Sequence, residues 1–140
     1  MIPRVGAQKT PQLISLLIGW DLEFLAVLDN DTEGKTIAKE LSIKLLVEGK
    51  KIIFIAEKDG FSIEDLFTHE DFNHFVLNEN KNDDTNLLNS KFIKNKKYDK
   101  VLLSKKFFEK VEENQTEIKL SQDTINAFKQ VFNKISNGFK

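Results

Sequence analysis

The sequence contains no cysteine, which excludes disulfides, zinc–thiolate sites and thiol nucleophiles. It also lacks a long apolar run. The most apolar segment, residues 13–28, is interrupted by Asp21 and Glu23 and falls short of the ~20 apolar residues that cross a bilayer. Met1-Ile-Pro-Arg4 is not followed by the apolar stretch of a signal peptide. There is no Gly-x-x-x-x-Gly-Lys phosphate loop and no internal repeat. Only one Trp and one Tyr accompany twelve Phe, so phenylalanine must supply most of the aromatic packing. The expectation is a soluble, cytoplasmic chain with no membrane partner.

What is present suits one domain with a real core: 140 residues, 40% of them apolar and 31% charged. The charge is uneven. Residues 1–90 carry nine Lys and Arg against sixteen Asp and Glu, whereas residues 91–140 carry twelve Lys against six acids. An acidic half suits a metal site, and a basic half suits a phosphate backbone or simply a solvated surface.

Apolar periodicity gives the element order. Residues 2–5 open as a short strand, and Pro11 starts a helix carrying Leu13, Leu16 and Leu17 on one face and ending near Gly19. Residues 23–28 read as a strand buried on both faces. A helix over 36–46 follows, with Ile37, Leu41 and Leu45 at steps of four and Gly49 as its C-cap. Residues 51–56 form a second strand. The alternation predicts βαβ units and a short parallel sheet. Beyond Gly60 come a turn at 63–67, a helix over 70–77 and a polar loop over 78–86. Three further helices are expected at 87–94, 101–113 and 121–135, the last capped by Ser121.

The chemistry concentrates in acids. Asp29 and Asp31 leave the first core strand at its carboxyl end, where open α/β sheets bind ligands, and carboxylates at i and i+2 can share one ion. Magnesium takes such hard oxygen ligands. The same residue types also make ordinary turns. Glu64 and Asp65 follow the next strand; they are either further ligands or first-turn residues favouring a helix dipole.

Several stretches resemble the Toprim domain of OLD-family ATP-dependent endonucleases. They are Ile2-Pro-Arg-Val-Gly-Ala7, Leu13 to Leu17, Phe24-Leu-Ala-Val-Leu-Asp-Asn-Asp-Thr-Glu-Gly-Lys35 and Ile63-Glu-Asp-Leu-Phe67. The resemblance runs over roughly residues 2–75. It implies a Rossmann-like α/β fold, Mg2+ or Mn2+ as cofactor, and two-metal hydrolysis of nucleic acid, DNA foremost. It implies Asp29, Asp31 and Glu64 as catalytic metal ligands, with Asp65 beside them. A late basic residue that assists the transition state falls on Lys100 first and Lys105 second. Residues 1–80 then form a partial Toprim core and residues 81–140 a helical extension packed on the same domain. The family's opening strand, whose Glu completes the metal site, has no counterpart ahead of Asp29, and its ATPase domain is absent. The expectation is therefore an N-terminally truncated domain whose exposed sheet edge favours a homodimer.

Two alternatives stand beside this. One is a non-catalytic remnant serving dimerisation or nucleic-acid binding. The other is an EF-hand-like calcium loop over residues 29–40, with Gly34 sixth and Glu40 twelfth. His69 and His74, five apart, read as surface residues, and Trp20 as a core or rim aromatic. Phe107, Phe108, Phe128 and Phe132 read as packing.

Overall fold

In a computed structural model the described residues are 9–77, 82–113 and 118–140. The expected strand at 2–5, and residues 78–81 of the polar loop, lie outside them. The chain is mixed α/β with helix predominant, and it divides into two compact units, residues 1–60 with 131–140, and residues 61–130. The first unit runs to Gly60 and resumes at Val131. Among the described residues no helix is long and apolar enough to cross a membrane.

The first unit holds α1 (Thr10–Gly19), β1 (Ala26–Leu28), α2 (Thr32–Lys44) and β2 (Ile52–Phe54). Pro11 sits in the first turn of α1, where its missing N–H costs nothing. The helix closes through Asp21, not Gly19. Asp21 takes φ 54°, and the amides of Asp21 and Leu22 donate to the carbonyls of Ile18 and Leu17 at 3.0 and 2.9 Å.

The strands pair in parallel, with Ala26 opposite Ile52 and Leu28 opposite Phe54, as the alternation of elements predicts. They are shorter than the apolar runs, and β1 is not buried on both faces. Ala26 and Leu28 point into the core, while Val27 between them is 40% exposed. Ile14, Ile37, Leu41 and Val47 complete that core.

Helix α2 starts four residues earlier than its apolar spacing indicates, because Asp31 caps it. It ends at Lys44 with Leu45 as its C-cap, and Leu46 just beyond takes φ 53°, a conformation more often given to glycine. Gly49 instead opens a single 3₁₀ turn, Gly49–Lys51. The end of the last helix also belongs to this unit. A Cβ on Gly138 would lie 2.8 Å from both methyls of Leu25, so the absence of a side chain lets that helix seat closely.

The second unit holds a 3₁₀ turn (Ile63–Leu66), α3 (His69–Asp71), which continues as a π turn over Phe72–Val76, α4 (Asn89–Lys96) and α5 (Lys100–Glu113). It also takes the first half of α6 (Gln122–Gly138). Phe72, Val76, Leu77, Phe92 and Ile93 form its core. Phe67 stacks edge-on against Phe107 and Phe128 at centroid distances of 5.7 and 5.0 Å. Of the four Phe expected to pack, Phe108 and Phe132 are instead exposed. Trp20 is also mostly exposed, at 68%. Lys110 Nζ donates to the carbonyls of His74 and Phe75 at 3.1 and 3.3 Å, satisfying the end of the π turn.

Candidate functional sites

Two groups of nominated residues occupy one unit each. In the first unit, Asp29, Asn30 and Asp31 leave the carboxyl end of β1 directly. Asn30 is buried, and its Nδ2 donates to the carbonyls of Ala56 and Glu57, both at 3.1 Å. Its own carbonyl accepts from the Gly60 amide at 2.7 Å. The middle residue of the acidic triplet thus ties this turn to the chain leaving β2.

Asp31 Oδ1 accepts the Gly34 amide at 2.8 Å, and the Asp31 carbonyl accepts the Lys35 amide at 3.0 Å. One of its oxygens therefore serves the helix N-terminus. Lys35 in turn pairs with Asp59 on the surface, and this pairing holds the Asp59 carboxyl below its ordinary value. An open cleft of about 630 Å3 lies beside the turn, lined by Asn30, Phe54, Glu57, Lys50 and Lys134. Lys134 stands 3.8 Å from Glu57.

The EF-hand alternative does not survive this geometry. Residues 32–40 are helical in α2, so the twelve-residue loop that would wrap a calcium ion is not formed.

In the second unit, Glu64 and Asp65 sit on the 3₁₀ turn Ile63–Leu66. Asp65 is fully engaged: Oδ2 accepts the Ser62 amide and Oδ1 the Ser90 amide, both at 2.9 Å. The first bond is half of a capping box with Ser62, and the second satisfies an orphan amide in the first turn of α4. Asn89, 2% exposed, clamps the same turn by donating from Nδ2 to the carbonyls of Glu64 and Phe67 at 3.0 and 3.1 Å.

Glu64 Oε1 forms an ion pair with Lys100 Nζ at 2.8 Å. Its Oε2 is buried and receives no donor among the described residues, and the same holds for Asn89 Oδ1. A buried acceptor without a donor is costly, and a carboxylate oxygen in that condition suits a cation. Lys105, the second basic candidate, instead lies 3.8 Å from Glu109 on the exposed side of α5.

His69 Nε2 lies 2.7 Å from the Leu87 carbonyl, and His74 packs edge-on against Phe75 and is exposed. Among the described residues, no group of three or more His, Asp or Glu side chains is placed to hold a metal ion.

The sequence reading missed Asn30 and Asn89, because Asn after a strand or before a helix looks like ordinary turn chemistry. It also missed a network around Asp71, whose Oδ2 accepts from the Ser121 amide at 3.0 Å, the Ser121 hydroxyl at 2.7 Å and the Thr124 hydroxyl. Burial raises the Asp71 carboxyl. Donation from Thr124, Ser121 and Thr68 outweighs that and leaves its pKa below the ordinary value.

No family model matches the chain, and neither a curated protein nor a solved structure does.

Proposed function

We propose that the chain is a Toprim-type, divalent-metal-dependent nuclease domain that cleaves phosphodiester bonds of nucleic acid, DNA foremost. Its ligands for magnesium or manganese are Asp29 and Asp31 on the first unit. The observation that carries this reading is the position of Asp29 and Asp31, directly beyond the carboxyl end of β1 in a parallel strand pair with α2 beginning at once.

The donor set is all hard oxygen, which fits these ions. An ion held there supplies Lewis acidity toward a phosphodiester and its attacking water. The chain's own residues have separate tasks. Asn30 holds the acidic turn against the strand end, and Gly34 fixes one oxygen of Asp31, leaving Oδ2 to a cation. Lys50 and Lys134, beside Asn30 in the cleft, offer positive charge to a phosphate backbone.

The test is nicking of supercoiled plasmid DNA with manganese, by the chain and by Asp31→Asn. Asparagine caps helices as well as aspartate does, so the variant removes charge without removing the cap. Nicking that the substitution abolishes supports the reading. Nicking that persists in the variant contradicts it.

A second reading, a non-catalytic dimerisation module, is favoured by one observation. Leu16, Ile18, Trp20 and Leu22 all stand exposed on or beside α1, an apolar surface of the kind that partners cover. Sedimentation of the chain against Trp20→Ser tests it, a dimer that the substitution dissociates being the supporting result.

A further inference from the structure

Helix α4 carries its positive charge without an acid of its own. Between Asn89 and Tyr98 stand Lys91, Lys94, Lys96 and Lys97, and no Asp or Glu. All four lysines are exposed, and none of them takes part in an ion pair among the described residues. The acids next to the helix have other partners. Asp65 gives its two oxygens to the Ser62 and Ser90 amides, and Glu64 pairs with Lys100. Asp99 Oδ1 caps α5 at the amides of Val101 and Leu102, at 2.8 and 3.2 Å.

The helix dipole accounts for part of this charge. Lys94 and Lys96 lie in the last turn, where cations are favoured. Lys91 lies in the first turn, where they are not. Lys97 ends the helix with φ 54° and ψ 37°, and the amide of Tyr98 behind it donates to the Ile93 carbonyl at 3.0 Å. Glycine takes that left-handed position without steric cost, yet a lysine fills it. Helix stability explains neither residue.

Lys91, Lys94 and Lys97 follow one another at steps of three, and the first two share a face of the helix. Eight helical residues span about 12 Å, over which one strand of a DNA duplex sets about three or four phosphates. The same helix offers nothing apolar, because Phe92 and Ile93 lie in the core of the unit. A helix that enters a lipid surface needs an apolar face to bury, and protein interfaces favour aromatic side chains and deplete lysine. A phosphate backbone needs neither. It is bound by charge, with release of its counterions.

We propose that α4 and Lys97 form a nucleic-acid-binding face that holds the phosphate backbone of DNA through Lys91, Lys94 and Lys97. The face belongs to the second unit and needs no metal, so it goes beyond the cleavage chemistry proposed for Asp29 and Asp31.

The experiment is fluorescence anisotropy of a labelled DNA duplex titrated with the full chain, in EDTA and at several salt concentrations. Wild type is compared with Lys91→Gln/Lys94→Gln, with Lys97→Gly, and with Lys39→Gln/Lys44→Gln, which removes the same charge from exposed positions of α2. Each α4 lysine removed is expected to lower the slope of log K against log salt by about 0.9, while the α2 pair leaves it unchanged. Lys97→Gly is also expected to keep or raise the melting temperature, since glycine suits the left-handed turn, so its weaker binding cannot come from unfolding. A slope unchanged in either α4 variant overturns the proposal, as does an equal fall in the α2 pair. Binding of wild type to phosphatidylserine vesicles but not to DNA, or to neither, also overturns it. EDTA keeps cleavage out of the measurement. Failure here therefore leaves the nuclease reading standing, and failure of Asp31-dependent nicking leaves this face standing.

Discussion

Gly34 lies so close to Asp29 that a methyl group added to it would stand 2.0 Å from the Asp29 backbone oxygen and 3.4 Å from Asp31 Oδ1. The first turn of α2 is therefore seated on the acidic turn itself. Backbone cannot yield there as a flexible side chain would. Gly34→Ala is expected to destabilise the chain by about 1–3 kcal/mol, the usual range for overpacking, and to disturb both acids. Urea denaturation checks the first effect; a stability equal to wild type would show that the helix shifts freely.

Asp31 allows its cap to be separated from its charge. Asp31→Ala is expected to cost about 1 kcal/mol, whereas Asp31→Asn keeps a capping oxygen and should leave stability nearly unchanged. Thermal melting of the two variants decides this. Equal losses in both would mean that the charge, and not the hydrogen bond to Gly34, supports the helix.

Asp65 has both oxygens committed to backbone amides, of Ser62 and Ser90. Asp65→Ala leaves two amides without acceptors and is expected to cost about 2 kcal/mol. The loss should appear in denaturant midpoint. A variant of unchanged stability but weakened manganese binding would move Asp65 back among the metal ligands.

Asp71 predicts a pH dependence. Its folded pKa lies below its ordinary value, so it contributes stability that is present above the unfolded pKa, about 4, and lost as pH falls through the lower folded value. Stability measured from neutral pH downward should therefore decline below about pH 4, and Asp71→Asn should flatten that decline. A slope unchanged in Asp71→Asn would assign it to other carboxylates.

Much of this was legible in the residues, for local reasons. Pro11 announces the start of α1, the spacing of Ile37 and Leu41 marks the buried face of α2, and Ser121 does cap α6, its hydroxyl lying 3.4 Å from the Thr124 amide. Asp29 and Asp31 stand out because a strand ends abruptly in turn residues. What escaped depends on chain distant in sequence. That Val27 faces solvent follows from what covers the sheet, which an apolar run does not encode. Gly34 looks like a loop residue until Asp29 is seen beneath it. The tie of Asp71 to Ser121 and Thr124 spans about fifty residues, and the pairing of Glu64 with Lys100 spans thirty-six. Neither leaves a pattern that periodicity can detect.

The most direct test of the account is manganese titration by calorimetry on the chain and on Asp31→Asn, with circular dichroism confirming that both are folded. The account predicts binding by the chain and its loss in the variant. Equal binding by both would contradict Asp31 as a ligand, and no binding by either would contradict the metal-dependent nuclease itself.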